Sequence, residues 1–487
     1  MPTSDVIVPS GGRLTRAVRR VEPLHVLMAL TALLAALLIS GPILDVDVYW
    51  HVLIGREITA THHIGGLGTA WSVNSTGTGW QTTQWLSEVV LARTQAWFGW
   101  RGIMTLRDLL GLALILALAV QLLRRALPRV AAPVFAVVAV PVASSIQDRP
   151  LLATLLLTVW LAGTCADLVL DKRRPRLWVV LVVVALWANL HGGWVLAPTM
   201  LATVALGLLI EDRRISERVR SAAAATGVAL LAGCLTPLGP RGLVAPFRFT
   251  ASTALIEEWR RTELWSAYGV VVGLLICALV WAWARGSLRP GVAELLYVAA
   301  LVVLAAQAYR NVAPTMLLLA PLVAERVTRS FTVTRAHVRP RERVVLATTV
   351  VLLLASAVGV LVTSAAVVNP LKPAVPLAIA RTLAATPGDK RVLNTYNSSG
   401  VLAAFGGPGV RLAVDGRADR YGDTFLKKYV AAFSLQGDWQ AVLRQADPNY
   451  AVLGESFPLT AELRRQGWRV VQTDHGFVLL AAPARAS

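Results

Sequence analysis

The sequence predicts a polytopic α-helical membrane protein that carries a small soluble α/β domain after its last span. Three observations predict it. Of 487 residues, 55% are hydrophobic and only 15% charged, whereas a soluble domain has about a quarter charged. Apolar runs such as 24–43 and 344–368 have the length of about 20 residues that crosses a hydrocarbon core. Beyond residue 368 the chain turns charged and alternating, with strand and helix patterns following one another, the signature of an α/β domain. Disordered, collagenous and disulfide-rich classes are excluded by the same composition.

The first run follows Arg13, Arg16, Arg19 and Arg20. It exceeds the 7–15 residues of a signal-peptide core and lacks a clear cleavage site, so it reads as the first span. Further apolar segments lie at 104–123, 129–146, 150–170, 177–192, 195–210, 221–237, 267–284, 292–308, 312–325 and 344–368, which makes about eleven spans. Net charge is +19, but the basic residues sit between spans rather than on one nucleic-acid-binding face. They cluster at 13–20, 124–129, 172–176, 213–220 and 326–343. Such clusters set topology and meet anionic lipid headgroups. With the N-terminus inside, every cluster is cytoplasmic, and loops 44–102, 147–150, 191–193, 238–266 and 309–311 are exterior. The organisation expected is a cytoplasmic basic N-terminus (1–23), a transmembrane domain (24–368) and an extracytoplasmic α/β domain (369–487), in a multi-pass plasma-membrane protein. Cys165, Cys234 and Cys277 fall in apolar segments and offer neither a disulfide framework nor zinc spacing.

The first exterior loop is far longer than a usual connector. It holds Trp50, Trp71, Trp80, Trp85, Trp97 and Trp100, which an interfacial aromatic belt accounts for. Within it, 48–61 and 84–98 read as helices lying on the membrane surface. After Pro370, Pro373 and Pro376, strands are expected at 391–396, 411–415, 450–453 and 468–480, with helices at 424–434, 438–445 and 459–466.

The sharpest chemistry follows the first span: Asp45, Asp47, Tyr49, Trp50 and His51. Two carboxylates two residues apart can hold a divalent cation, or one can act as a general base. A divalent metal ion is thus the one cofactor the sequence leaves open. A helix beginning near Asp47 puts Asp47 and His51 on one face. The plain alternative is that one aspartate caps that helix. Neither aspartate is expected in a packed core. Polar groups at other exterior edges are Gln147, Asp148 and Arg149; Asn189 and His191; Glu257, Glu258 and Arg260; and Tyr309, Arg310 and Asn311. Ionisable residues at membrane edges are costly and tend to be functional or paired, as an Asp148–Arg149 pair would be. His51 and His191, taken singly, read as hydrogen-bonded structural residues.

These residues resemble the bacterial GT-C-like membrane glycosyltransferases of the dolichyl-phosphate-mannose mannosyltransferase-like group. The likeness runs from Asp45, Asp47, Tyr49, Trp50, His51, Gly55, Arg56 and Ile58 through Gln84, Trp85, Leu86 and Glu88. It continues through Arg149 and Pro150, Trp187, Asn189, His191, Gly192 and Gly193, Pro237 and Gly239, Ile256, Glu258 and Trp259, and Arg310. In the tail it takes in Asn394, Tyr396, Gly400, Asp415, Gly416, Arg417, Asp419, Tyr421 and Gly422. The sequence departs from the group at Tyr49, where a second Trp is common. It also departs at Thr83 and Gln84, which replace a pair ending in Glu and weaken a metal site.

The resemblance implies transfer of a sugar from a polyprenyl-phosphate carrier to an extracytoplasmic acceptor (lipid, glycan or protein), with Asp45 or Asp47 as base. Arg149, His191 or Arg310 would neutralise the leaving phosphate, and His51 and Glu258 would join the substrate-binding set. The other reading is a non-catalytic polyprenyl-lipid or polysaccharide transporter, or an assembly scaffold. A transporter would place ionisable groups near mid-membrane and show broken helices in related halves. For the tail, the Asp415–Tyr421 stretch either binds ligand at a strand's carboxyl end, or Asp415 and Arg417 pair to dock the domain. The domain is expected to cover the site's mouth and to assist, not to supply the base.

Overall fold

A computed structural model describes residues 21–73, 80–244, 260–286, 289–331, 340–371 and 375–484. The basic N-terminal cluster, and Ile256, Glu257, Glu258 and Trp259, lie outside the described residues. Helices come first: α1 (Pro23–Ile39), α2 (Asp47–Thr61), α3 (Trp85–Arg125), α4 (Pro128–Ser144), α5 (Leu151–Val169) and α6 (Leu177–Leu190). They are followed by α7 (Leu196–Asp212), α8 (Glu217–Gly233), α9 (Ala267–Arg285), α10 (Val292–Gln307), α11 (Val312–Arg329) and α12 (Pro340–Val367). Among the described residues, five helical segments are long and apolar enough to cross a membrane: Trp85–Arg125, Leu151–Val169, Gly192–Asp212, Ala267–Arg285 and Arg341–Val367. Four shorter apolar helices, α1, α4, α6 and α10, accompany them.

Two features position the site. α3 breaks at Gly99, whose φ of 64° and ψ of −165° suit a residue without Cβ. The break separates an amphipathic first half, packed on α2, from an apolar second half in the bundle, where the sequence expects two separate elements. α11 is buried over every residue from Val312 to Glu325, the pattern of a helix enclosed on all sides. The connectors that the sequence marks by Pro150, His191 and Arg310 all turn at one end of the bundle, where they face one cavity.

The tail holds α13 (Leu377–Ala385), β1 (Lys390–Asn394), α14 (Ser399–Phe405), β2 (Val410–Leu412), α15 (Ala418–Tyr421), α16 (Asp423–Ala432), α17 (Trp439–Ala446), β3 (Tyr450–Gly454), α18 (Pro458–Arg465), β4 (Arg469–Asp474) and β5 (Phe477–Ala481). The sheet order is β2-β1-β3-β5-β4, with β1 parallel to β2 and β3, and β5 antiparallel to β3 and β4. The single strand expected at 468–480 is a hairpin. His475 and Gly476, at φ 48° and 81°, form the two-residue turn that favours positive φ at both positions. α13 and α14 escape the sequence pattern because they are short and pack on the first loop.

The tail also packs directly on the first loop. Ile43, Val48, Tyr49 and Val52 share one core with Ile379, Leu383, Val401 and Leu402. Residue 400 must be glycine there, because a Cβ would come within 2.3 Å of the Val46 carbonyl oxygen. Backbone pairing completes the join: Val73 N donates to Leu412 O and Leu412 N to Trp71 O, both at 2.8 Å. The first loop therefore extends the sheet beyond β2.

Candidate active site

A cavity of about 1240 Å³ opens where the bundle, the first loop and the tail meet. α2 begins at Asp47, whose backbone N–H donates to Asp45 Oδ1 at 2.9 Å, so Asp45 holds the helix start from one residue outside the cap. Asp47 and His51 stand one turn apart and both line the cavity. Asp45 does not. It is 5% exposed and ion-paired with Arg149 Nε, which corrects the expectation that it lies outside packed structure. Arg149 Nη2 reaches Asp47 Oδ2 at 3.3 Å, so the guanidinium bridges both aspartates while its edge faces the cavity.

The expected pairing of Asp148 with Arg149 is not found, because neighbouring residues of this turn point opposite ways. Asp148 turns inward to Arg107 Nη1 at 3.3 Å. Arg107 also pairs with Asp108 at 2.8 Å and donates to the carbonyls of Gly41 and Pro42 at 2.8 and 3.1 Å. It thereby ties the turn before Asp45 to the turn carrying Arg149. Burial pushes the Asp148 carboxyl above the usual carboxylate range, against the opposing pull of Arg107. Arg107 and Asp108 are absent from the sequence-derived set. Their signal was two charges inside an apolar run, which membrane energetics allows only for paired or functional groups.

His51 is fixed from behind. Its Nδ1 lies 3.2 Å from Glu88 Oε1 and 3.4 Å from Gln84 Nε2, while the Trp50 ring sits 3.7 Å from its centroid. Helices α2 and α3 approach so closely that a Cβ on Gly55 would lie 1.9 Å from the Glu88 carbonyl oxygen, and this crossing brings His51 to Glu88. His191 is held by Thr154 Oγ1 at 2.8 Å and accepts from Gly193 N at 3.0 Å. Burial, then the charges of Arg310, His51 and Arg149, push its pKa down to about 3, so the imidazole is neutral at physiological pH. Trp85 Nε1 donates to Asn189 Oδ1 at 2.7 Å, joining the first loop to this connector.

The tail closes the opposite wall. The carboxyl ends of the parallel strands face the cavity through Thr395, Tyr396, Asn397, Gly416, Asp419 and Phe457. Asp415 and Arg417 form a buried bidentate pair, and Arg417 reaches the first loop at the carbonyls of Leu67 and Gly68 (2.5 and 2.9 Å). The pair thus docks the tail on the first loop, while Gly416, Arg417 and Asp419 of the same stretch also line the cavity. Asp419 accepts from Trp80 Nε1 at 2.9 Å, and burial raises its pKa. Gly416 abuts Trp50, whose Nε1 a Cβ would approach to 2.1 Å.

Of the sequence-derived residues, Asp47, His51, Arg149, His191 and Arg310 converge on this one cavity, with Asp45 behind Arg149. Glu258 lies outside the described residues. Among the described residues no three His, Cys, Asp or Glu side chains gather as a metal site, and the Arg149 bridge occupies the aspartate pair that would have held an ion.

The chain thus forms an apolar helical bundle whose long first loop packs against an α/β tail. Solved structures share it. The archaeal oligosaccharyltransferase AglB from Archaeoglobus fulgidus, in complex with an inhibitory peptide and a dolichol-phosphate, superposes with a TM-score of 0.56 at 10% identity, over 88% of this chain and 69% of that one. An Archaeoglobus fulgidus oligosaccharyltransferase in the apo form gives 0.53 at 10% identity, over 88% of this chain and 69% of that one. ArnT from Cupriavidus metallidurans, bound to undecaprenyl phosphate, gives 0.52 at 15% identity, over 95% of this chain and 98% of that one. At these identities the likeness is one of fold. No family model matches the sequence, and no curated protein sequence does.

Proposed function

We propose that the protein is a glycosyltransferase that moves a sugar from a polyprenyl-phosphate donor to a hydroxyl-bearing acceptor outside the cytoplasm. The observation that carries this reading is one cavity combining a carboxylate, arginines and a neutral imidazole at the polar end of an apolar bundle. The polyprenyl phosphates bound by the two structural neighbours support the donor class. Asp47, facing the cavity, takes the acceptor's proton as its oxygen bonds to the anomeric carbon. The bond from that carbon to the phosphate oxygen breaks, and polyprenyl phosphate departs with the electron pair. Arg149 and Arg310 neutralise its charge, a task suited to forked donors. His191, uncharged, offers a hydrogen bond without adding a cation, and His51 is oriented by Glu88. Asp45 anchors Arg149 and leaves the proton transfer to Asp47.

A transporter is less favoured, since the polar groups gather at one end of the bundle rather than at its middle. In this reading α1, the second half of α3, and α4 to α12 are eleven spans, the basic connectors are cytoplasmic and the tail is extracytoplasmic.

The test is transfer from a panel of polyprenyl-phosphate sugars by purified protein in detergent. Asp47→Asn should lower transfer by about 10²-fold or more, the scale of a lost general base, with unfolding unchanged. Asp45→Asn should lower the unfolding temperature as well. Normal transfer by Asp47→Asn would overturn the assignment of the base.

A further inference from the structure

We propose that the end of the bundle remote from the cavity carries a specific site for the phosphodiester headgroup of an anionic membrane phospholipid, seated between α5 and α6. α5 runs from Leu151 and Thr154 at the cavity wall to Asp167 at a second, separate pocket of about 200 Å³. Nineteen helical residues cover about 28 Å, close to the thickness of a hydrocarbon core. The second pocket therefore lies at the other membrane edge and is no part of the catalytic cavity.

Its walls are of two kinds. Trp160, Val179 and Val180 supply an apolar floor, and the extended segment 172–176 supplies the cationic rim. The acids nearby are already engaged. Asp167 takes Arg125 at 2.8 Å, Asp171 takes Arg174 at 2.7 Å, and Glu325 takes Lys172 at 2.6 Å, besides Arg125 and Arg329. Arg173 and Arg176, on either side of Pro175, also line the pocket. Neither has a side-chain partner among the described residues, so their charges are uncompensated there. A phosphodiester accepts from guanidinium forks in a matched geometry.

Free phosphate would satisfy the same donors. What favours a lipid-borne phosphate is the apolar floor itself, Trp160, Val179 and Val180, on a helix whose other side is apolar and open: Leu177, Trp178, Leu181 and Val182 are 41%, 64%, 37% and 57% exposed. A headgroup held at the rim would lay its acyl chain against the apolar surface of α5 and α6. The interfacial position of Trp178 suits the same boundary. Basic pockets between helices at a membrane edge are known to hold such headgroups.

The experiment reads lipid retention by native mass spectrometry on the full chain in detergent, with phosphatidylglycerol, phosphatidylcholine and inorganic phosphate as probes. Phosphatidylglycerol should remain bound in preference to phosphatidylcholine, and inorganic phosphate at millimolar concentration should not displace it. The double variant Arg173→Ala/Arg176→Ala should weaken that binding about 30-fold, the effect of two surface cations on an anionic lipid, without changing the unfolding temperature. Arg213→Ala/Arg214→Ala, in another basic connector, should leave it intact. Equal retention of both lipids, displacement by inorganic phosphate, or equal loss from both double variants would each overturn a specific lipid site at this place.

Discussion

Truncating Arg417 to alanine should loosen the tail from the first loop, at one edge of the cavity that Arg417 helps to line. Arg417 donates to Asp415 through Nε at 2.9 Å and Nη2 at 2.5 Å. It also donates to the Leu67 and Gly68 carbonyls, and it lies 5.2 Å and 5.5 Å from the ring centroids of Trp80 and Trp71. Both partners of the ion pair are at most 2% exposed. Removing one member of such a pair leaves a buried, uncompensated carboxylate and costs about 3–5 kcal/mol. The two carbonyls left unpaired keep the figure at the upper end, although the losses overlap and do not add. A cost of about 4 kcal/mol corresponds to a fall of about 16 °C in Tm for a domain of the tail's size. Tryptophan fluorescence during thermal unfolding reads the total, and hydrogen exchange reads its location, with faster exchange expected in 64–73 and 413–421. Arg417→Lys, which keeps the charge but loses the fork, should fall between. Replacing both partners, Arg417→Met with Asp415→Leu, should recover part of the loss, because no charge is then stranded. If Arg417→Ala unfolds within about 1 kcal/mol of the parent and both segments exchange as before, the pair does not hold the two parts together.

Two further outcomes are expected. His191 has its pKa pushed down to about 3, below the value of about 6.5 in an unfolded chain. Its contribution to stability is therefore complete above pH 6.5 and is lost as pH falls from 6.5 toward 3, because the unfolded chain takes up the proton first. The Tm of His191→Asn should fall less than the parent's between pH 7.5 and 5, by the equivalent of about 1–2 kcal/mol, and parallel curves would contradict the assigned burial. Deleting residues 369–487 should unfold the first loop, since Ile43, Val48, Tyr49 and Val52 would lose the core they share with α13 and α14. Limited proteolysis should then cut within 44–84, and a truncated protein that resists cleavage there would show the loop to be self-supporting.

How much of this was legible beforehand depends on the range over which each cause acts. Apolar segments, basic connectors and the long first loop follow from local composition, since apolar length and charge placement are local properties. The two helices of the first loop were visible for the same reason, as were Asp47, His51, Arg149, His191 and Arg310, all polar residues near apolar runs. What the sequence could not supply was partnership. Asp45 and Asp47 are two residues apart and chemically alike, yet Arg149 buries one and leaves the other facing the cavity. Asp148 and Arg149 are neighbours that turn to different partners. Arg107 lies 41 residues from Asp148 and organises two turns at once. The tail's attachment was hidden too, because it rests on backbone pairing between residues 71–73 and β2 and on glycines such as Gly400 that permit close approach. Hydrophobic pattern is a property of neighbours along the chain and so survives in the sequence. Burial of one carboxylate rather than another, and the docking of a domain on a loop hundreds of residues away, are decided by which distant surfaces meet, and only the folded chain brings those together.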